Sequence, residues 1–296
     1  MTGHLKLTAY LGERQRSGSA FVAEAMLDLF TERSVASSIM LRGVTGFGSR
    51  HVLRTDESLS LSEDPPITIA ALDTDDVIGA VADDVAALLP RGLITVERVR
   101  LLGGPEAVAP DAGGVRVSIA LGRNRRIGTT PGFAAVCDLL YRHRFAGATA
   151  LLGVDGTVGG QRRRAHFFSR NLDVPLVIIA IGTAEQARAA LPELLAMTIH
   201  PMVTAERIVV CKRDGVLLQR PPALPATDSH GRPLWQKLMI HTSESTQHDG
   251  QPIHRAIVGQ LRQHRAAMGA TVLRGVWGFH GDQAPHGDRF VQWGRQ

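Results

Sequence analysis

Two seven-residue segments, RGVTGFG at 42–48 and RGVWGFH at 274–280, combine an arginine with closely spaced glycines, which are residue types that can bind an anion. Glycine lets backbone N–H groups approach an anion closely, and a guanidinium offers forked donors to a phosphate or carboxylate. Neither segment has the spacing of a known phosphate loop, GxGxxG or GxxxxGKS/T, and glycines are also common where a loop leaves a strand. Ligand contact and plain turn geometry therefore both stay open at this stage.

Further arginines near the first segment could donate to the same anion: Arg42, Arg50, Arg54 and Arg91. Arginines in polar loops are, however, more often solvated than bound to a ligand. Two basic clusters, at 123–126 and 162–164, could meet an anionic partner surface or nucleic acid, although a solvated face is the expected outcome. Positive charge identifies these arginines as candidate anion-binding residues, but it does not show which of them bind an anion and which are solvated.

Two carboxylate–arginine dipeptides recur as candidate ion-pair residues, Glu97 with Arg98 and Glu206 with Arg207. Adjacent residues of a strand point to opposite faces, so the two members of a dipeptide face different neighbours. The recurrence could mark an ion pair in a cleft or a packing pair between modules.

The sequence contains no pattern typical of a catalytic or metal site. It has no GxSxG elbow and no HExxH, and its two cysteines, Cys137 and Cys211, are 74 positions apart without partners at metal-ligand spacing. The sequence therefore predicts no catalytic residues and no metal ligands. An enzyme that acts on a phosphorylated small molecule through arginine-rich clefts stays a lesser alternative.

The composition is typical of a globular protein, with 44% apolar and 21% charged residues. The net charge of +5 suits an anionic ligand but falls short of the dense basic patch of a DNA-binding protein. The longest apolar run, at 174–182, is far too short to span a bilayer. We expect a cytoplasmic protein that is not embedded in a membrane and has no DNA partner.

Both glycine-rich segments belong to a larger internal repeat. Sliding the chain by 110 positions aligns residues 5–46 with 115–156 at 12 identities in 42 positions, against roughly 3 expected by chance. A slide of about 232 lays residues 236–280 over the start of the first copy. The predicted domains are repeat 1 at 1–104, a linker at 105–114, repeat 2 at 115–214, a proline-rich linker at 215–233 and a truncated repeat 3 at 234–296.

The pattern of apolar residues in each full repeat predicts the order strand, helix, strand, strand, helix, strand. The strands of repeat 1 are expected at 6–12, 37–44, 66–72 and 93–102. Ser19 and Thr74 are expected to cap its helices, and Thr183 with Gln186 predicts a capping box in repeat 2. Repeat 3 supplies strand one, a helix and strand two. The fold class is α+β with tandem ferredoxin-like βαββαβ modules, and packing these modules together predicts an intrachain pseudo-trimer.

The chain resembles the PII-like signalling superfamily, and in particular the bacterial domain-of-unknown-function family 190. The resemblance rests on GFG at 46–48, the polar loop after it, and the strand entries EDPPITIAAL and RGLITVERVRLL. It implies homotrimer-like assembly and small effectors, often adenine nucleotides, bound in clefts between modules. It also implies a T-loop that contacts a partner protein, often a membrane transporter.

By this resemblance the T-loop of repeat 1 runs from Gly46 to about Asp64, and the connection at 90–92 is the phosphate-facing B-loop. The residues thereby assigned to a candidate ligand site are Arg42, Gly46, Phe47, Gly48, Arg50, Pro90, Arg91 and Gly92. The B-loop contains no lysine, although that of nucleotide-binding members does. An adenine nucleotide and another small anion are therefore both candidate effectors.

The leading hypothesis is a non-enzymatic, PII-like ligand sensor that binds a small anion in an inter-module cleft and signals through its T-loop. A single chain would form a monomeric pseudo-trimer or a higher oligomer. The alternative is a structural or interaction module whose clefts bind nothing.

Overall fold

The computed structural model describes residues 3–55, 64–104, 107–108, 113–165, 174–231, 233–264 and 267–287. The chain divides into two compact units, one of residues 1–208 with 268–296 and one of residues 209–267. The first unit therefore combines repeats 1 and 2 with the end of repeat 3. The architecture is mixed α+β, as predicted, with a large antiparallel sheet and five helices in the described ranges.

Repeat 1 follows the predicted order, with a short hairpin added before its first helix and a short strand in its long loop. Its elements are β1 (His4–Gly12), β2 (Arg16–Ser17), β3 (Ala20–Phe21), α1 (Val22–Glu32), β4 (Ser37–Phe47), β5 (Leu53–Thr55), β6 (Pro66–Thr74), α2 (Asp75–Leu88) and β7 (Leu93–Leu101). Apolar residues of β1 and β6, such as Leu7 and Ile69, and of α1, such as Phe30, are fully buried in one core. The alternating strands and the apolar helix face thus meet as their periodicities predict.

Repeat 2 has the same succession of elements, except that two strands take the place of β4. Its elements are β8 (Gly114–Gly122), β9 (Arg126–Ile127), β10 (Thr130–Pro131), α3 (Gly132–Arg142), β11 (Gly147–Leu152), β12 (Asp155–Val158), β13 (Gln161–Arg162), β14 (Pro175–Thr183), α4 (Ala184–Ala196) and β15 (Met202–Ile208). Its core also contains Phe279, which repeat 3 contributes.

The remaining elements are one helix and several short strands. In the second unit they are β16 (Lys212–Arg213), β17 (Val216–Leu217), β18 (Gln247–His248), β19 (Gln251–Pro252) and α5 (Ile253–Gln263). Strands β20 (Ala270–Leu273), β21 (Trp277–His280) and β22 (His286–Gly287) return to the first unit. None of the helices in the described ranges is long and apolar enough to cross a membrane.

The large sheet runs in the order β13-β12-β4-β6-β1-β7-β15-β8-β14-β11-β21-β22, with β5 and β20 also paired to β4. Strands β4-β6-β1-β7 of repeat 1 and β11-β14-β8-β15 of repeat 2 have the same order, and β7 meets β15 where the two sets join. Every pairing is antiparallel. One sheet therefore connects both full repeats.

Two local predictions are wrong. Ser19 does not cap a helix, because residues 16–21 form the β2–β3 hairpin around Gly18, whose φ is +60°, and α1 begins only at Val22. The expected first strand of repeat 3 is also missing, since residues 235–242 contain no strand and expose Trp235. The described strands of its unit pair only with each other, β16 with β17 and β18 with β19, so this segment gains no ladder partner there.

Two other helices begin at the predicted N-cap residues, and one of these residues makes the predicted capping hydrogen bonds. The capping box of α4 is confirmed, with the Gln186 N–H donating to Thr183 Oγ1 at 3.2 Å and the Thr183 N–H donating to Gln186 Oε1 at 2.8 Å. Thr74 occupies the N-cap position of α2 but makes no side-chain capping hydrogen bond. The predicted linker at 105–114 lies largely outside the described residues.

Candidate functional site

The candidate site is built around the turn that follows β1. The strand ends at Gly12, and the Gln15 N–H donates to the Gly12 carbonyl at 3.2 Å, which closes the turn before the β2–β3 hairpin. The Glu13 N–H donates to the Pro65 carbonyl at 2.9 Å, so the turn is also tied to the entry of β6. It can therefore receive side chains from several segments of repeat 1.

Arg42 reaches this turn from the exposed face of β4. Its Nε lies 3.1 Å from each carboxylate oxygen of Glu13, and its Nη2 also donates to Glu13 Oε1. This side-on arrangement uses the planar fork of the guanidinium. The pair is accessible, because 52% of the Arg42 side chain is exposed.

Arg54, from β5, reaches the same turn through Asp64. Its Nη1 lies 2.5 Å from Asp64 Oδ2, and Asp64 Oδ1 accepts a hydrogen bond from the Arg14 N–H at 2.6 Å. A Cβ placed on Gly12 would collide with both the Arg54 guanidinium and the Asp64 carboxylate. Glycine at position 12 is therefore what allows this ion pair to lie against the turn.

Arg91 completes the group from the connection between α2 and β7. Its side chain is exposed, and its carbonyl accepts a hydrogen bond from Gln15 Nε2 at 2.6 Å. The neighbouring Gly92 has φ +140°, and a Cβ there would lie 2.5 Å from the Tyr10 carbonyl oxygen. The connection is thus held against β1. We call the group formed by residues 12–15, Arg42, Arg54, Asp64 and Arg91 the arginine site.

The other residues assigned to a ligand site lie apart from these contacts. Gly48 and Arg50 are exposed in the turn after β4, whereas Phe47 is buried and its ring stacks on His51 at a centroid distance of 5.3 Å. Pro90 is exposed beside Arg91. Residues 56–63 of the candidate T-loop lie outside the described part of the chain.

Gly46 has a packing role that it shares with its counterparts in the other repeats. A Cβ on Gly46 would collide with the Ala270 carbonyl, one on Gly156 with that of Ser38, and one on Gly278 with that of Ala148. The three glycines are equivalent in the repeat alignment, and so are the three carbonyl residues. Packing alone therefore explains why glycine recurs at this position.

These contacts belong to a cyclic pattern of strand pairing. Residues 43–47 of β4 pair with β20 of repeat 3, and β21 of repeat 3 pairs with β11 of repeat 2. β12 of repeat 2 then pairs with residues 37–40 of β4 in repeat 1. Each repeat thus contributes its second-strand segment to both of the others.

Glu97 and Glu206 do form ion pairs, with partners that sequence reasoning missed. Lys6 Nζ lies 2.5 Å from Glu97 Oε2 and 2.5 Å from Glu206 Oε1, and Arg116 Nη2 contacts both carboxylates. Burial tends to lower the pKa of Arg116, but Glu206 and Glu97 outweigh it, and the pKa is raised above its usual value. These four residues, the interrepeat charge cluster, join β1 and β7 to β8 and β15.

Arg98 and Arg207 are exposed, on the opposite face of their strands from the cluster. The repeat alignment contained a signal for the missed partners, because Lys6 and Arg116 occupy equivalent positions and carry the same charge. No comparable signal pointed to Glu13 or Asp64.

In repeat 2 the segment at 152–164, which aligns with 42–54 of repeat 1, forms ion pairs at other aligned positions. Asp155 is bound by Arg162, with Nη2 at 2.7 Å from Oδ2 and Nε at 3.1 Å from Oδ1. The hydrogen bond to Asp155 raises the pKa of Arg162, although partial burial opposes this. Arg162 also contacts Asp28 of α1, and Arg164 lies 2.5 Å from Glu24. The basic cluster at 162–164 is therefore engaged within the chain, not simply solvated.

No group of three or more potential metal-ligating side chains occurs within the described ranges.

A family model, DUF190, described as Uncharacterized ACR, matches the chain at residues 4–101, 114–210 and 235–296. The three matches coincide with the three repeats.

Three solved structures that match the chain show weak similarity to it. One is a candidate chlorite dismutase with 8% identity and a TM-score of 0.21, covering 71% of this chain and 96% of that one. Two variants of chlorite dismutase from Candidatus Nitrospira defluvii have 9% and 8% identity and TM-scores of 0.19, covering 69% of this chain and 90% and 91% of theirs. Scores this low carry no argument about fold or function.

Proposed function

The chain belongs to the DUF190 family, and from that premise we propose that it is a non-enzymatic, PII-like regulatory protein that binds a small anion at the arginine site of repeat 1. The observation that carries the proposal is that the guanidinium groups of Arg42 and Arg54 both lie at one exposed turn, beside a connection whose Arg91 carbonyl is bound by Gln15. Arg42 and Arg54 come from the paired strands β4 and β5, and the carboxylates that they bind, Glu13 and Asp64, come from the turn after β1 and from the entry of β6. Guanidinium groups presented together are suited to phosphate or carboxylate recognition.

The three repeats are proposed to be ferredoxin-like modules arranged as a pseudo-trimer within the chain. The cyclic pairing of the second-strand segments supports this arrangement, because each repeat uses that segment in the same way toward its neighbours. Fusion of three modules makes their assembly independent of protein concentration. It also allows the three equivalent sites to diverge, which agrees with the difference between repeats 1 and 2.

The proposed effector is a small anion, with adenine nucleotides as one class. Anion binding would act by population shift on the loop between Gly46 and Asp64, because both Arg54 and Asp64 lie at the arginine site. That loop is the proposed contact surface for a partner protein such as a transporter. A cytoplasmic location goes with this role.

Calorimetry with a panel of anions tests the proposal: ATP, ADP, a cyclic dinucleotide, phosphate and pyrophosphate. We expect saturable binding of at least one member, and a loss of about tenfold or more in affinity in the Arg42→Ala, Arg54→Ala double variant. Arg33→Ala serves as the matched control, since Arg33 forms an exposed ion pair with Asp84 elsewhere in repeat 1. No saturable binding across the panel would overturn the proposal.

A second candidate function is an interaction module without a ligand. The glycine contacts favour it, because packing alone accounts for Gly46, Gly156 and Gly278. The same experiment separates the two, since the interaction module predicts no binding. Turnover of a bound anion would instead indicate an enzyme.

A further inference from the structure

The arginine site is already occupied by the chain's own carboxylates. Glu13 presents both of its oxygens to the Arg42 guanidinium, and Asp64 presents Oδ2 to Arg54 while Oδ1 accepts from a backbone N–H. Each carboxylate thus makes the contacts that an anionic group of a ligand would make. An external anion must therefore compete with Glu13 and Asp64.

We infer that Glu13 and Asp64 act as internal anions that fill the arginine site, and that the effector carries two anionic groups that displace both of them. This inference rests on the proposed function of the site. The two displaced carboxylates leave two guanidinium groups to be neutralised, so a ligand with one negative charge would replace only one of them. A diphosphate or a dicarboxylate satisfies both.

The exposure of the site makes exchange feasible. The side chains of Glu13 and Asp64 are 24% and 26% exposed, and those of Arg42 and Arg54 are 52% and 41% exposed. Ion pairs this accessible contribute little to stability, because water and salt compete for both partners. Their replacement by a ligand therefore disturbs the fold little.

Gly12 adds a steric reason for exchange at this place. The Arg54 and Asp64 groups lie where a Cβ of residue 12 would be, directly against the backbone of the turn. If Asp64 moves away, the same position accepts an anionic group beside Arg54 and the Arg14 N–H. The turn thus offers a backbone donor as well as guanidinium donors to the incoming ligand.

Charge-neutral substitutions of the internal anions test the inference. Pyrophosphate and succinate are the probes with two anionic groups, and acetate is the probe with one. We expect Glu13→Gln and Asp64→Asn each to raise the affinity for pyrophosphate or succinate severalfold, and the double variant to raise it about tenfold or more. Acetate affinity should change much less in the double variant. Which of the two divalent probes responds more strongly identifies a phosphate or a carboxylate effector.

Asp84→Asn is the matched control, because it also removes a carboxylate from an exposed arginine pair in repeat 1. It should leave pyrophosphate affinity unchanged. If the wild-type protein binds pyrophosphate and the variants bind it no more tightly, the inference is wrong while the proposed function stands. Absence of binding in the wild type and in all variants contradicts both.

Binding in the variants without binding in the wild type would show that Glu13 and Asp64 keep the native site closed to ligands, which contradicts both the inference and the proposed function. Asp64 also accepts from the Arg14 N–H, so Asp64→Asn changes a backbone contact as well as a charge. Glu13→Gln alone then carries the test, with its circular dichroism spectrum and unfolding temperature measured beside those of the wild type.

Discussion

Repeats 1 and 2 differ in how deeply the ion pairs around their second strands are buried. In repeat 1 the ion pair of Arg42 with Glu13 is exposed to solvent, with 52% of the arginine side chain accessible. In repeat 2 the Asp155 side chain is 5% exposed, and Arg162 links it to α1 of repeat 1. The comparison shows that the two repeats carry their ion pairs at different aligned positions, and that the pair is accessible in repeat 1 and forms a link to a neighbouring repeat in repeat 2.

Burial sets the energetic consequence of this difference. Breaking a buried ion pair leaves a desolvated charge without a partner, whereas water replaces the lost partner of an exposed one. Substitutions should therefore lower the free energy of unfolding in proportion to the burial of the residue. The expected loss is large in the buried interrepeat charge cluster and small in the exposed arginine site.

The interrepeat charge cluster gives the largest expected effect. Arg116→Met should lower the free energy of unfolding by about 3–5 kcal/mol, because it leaves Glu97 and Glu206 with Lys6 as their remaining cation in the cluster. Denaturant unfolding measures the change. Arg207→Met, an exposed arginine on the same sheet, is the control and should cost less than about 1 kcal/mol. Equal effects of the two substitutions would contradict the conclusion that the interrepeat charge cluster stabilises the junction between repeats 1 and 2.

The link in repeat 2 should be the next most sensitive. Asp155→Asn removes the charge that binds Arg162 but keeps the side-chain shape, and we expect a loss of about 2–4 kcal/mol. Calorimetric unfolding at neutral pH provides the measurement. A loss below about 1 kcal/mol would show that the ion pair in repeat 2 contributes no more to stability than the exposed pair in repeat 1.

Gly46 and Gly48 offer a matched pair within one segment. Gly46→Ala should cost about 2–3 kcal/mol, because the new Cβ collides with the Ala270 carbonyl and separates β4 from β20. Gly48→Ala meets nothing within 4 Å and should change stability by less than about 0.5 kcal/mol. Thermal unfolding of both variants under the same conditions makes the comparison. Similar losses would mean that the strand pairing does not depend on Gly46.

The smallest effect is expected in the exposed arginine site. Glu13→Gln should change the free energy of unfolding by less than about 1 kcal/mol, because solvent replaces the carboxylate at Arg42. Denaturant unfolding beside Asp155→Asn gives the direct contrast between repeats. A loss as large as that of Asp155→Asn would remove the distinction between an accessible site and a structural link.

Much of the fold could be predicted from local sequence patterns. The alternation of Ile67, Ile69 and Ala71 predicts a strand that the structure contains as β6, and Thr183 with Gln186 predicts the start of α4. Membership of the DUF190 family also followed from short segments and is confirmed. These predictions are correct because each depends on residues that lie close together in the chain.

The candidate site was predicted only in part. Arg42, Arg54 and Arg91 were recognised as potential donors, but their contacts with the turn at 12–15 depend on segments that only folding brings together. Ser19 was misassigned for a related reason. A short hairpin competes with the helix for the same residues, and the local capping preference does not reveal it.

The sequence by itself determined the triplication, the order of strands and helices in repeat 1, and the recurrence of glycine at positions 46, 156 and 278. Only the tertiary structure decided what those glycines contact and which charges are paired. Lys6 binds Glu206 across 200 positions, and Gly46 lies against a carbonyl of repeat 3. Contacts of this separation depend on how the sheet joins the repeats, because periodicity specifies which face of a strand is buried but not which distant strand covers it.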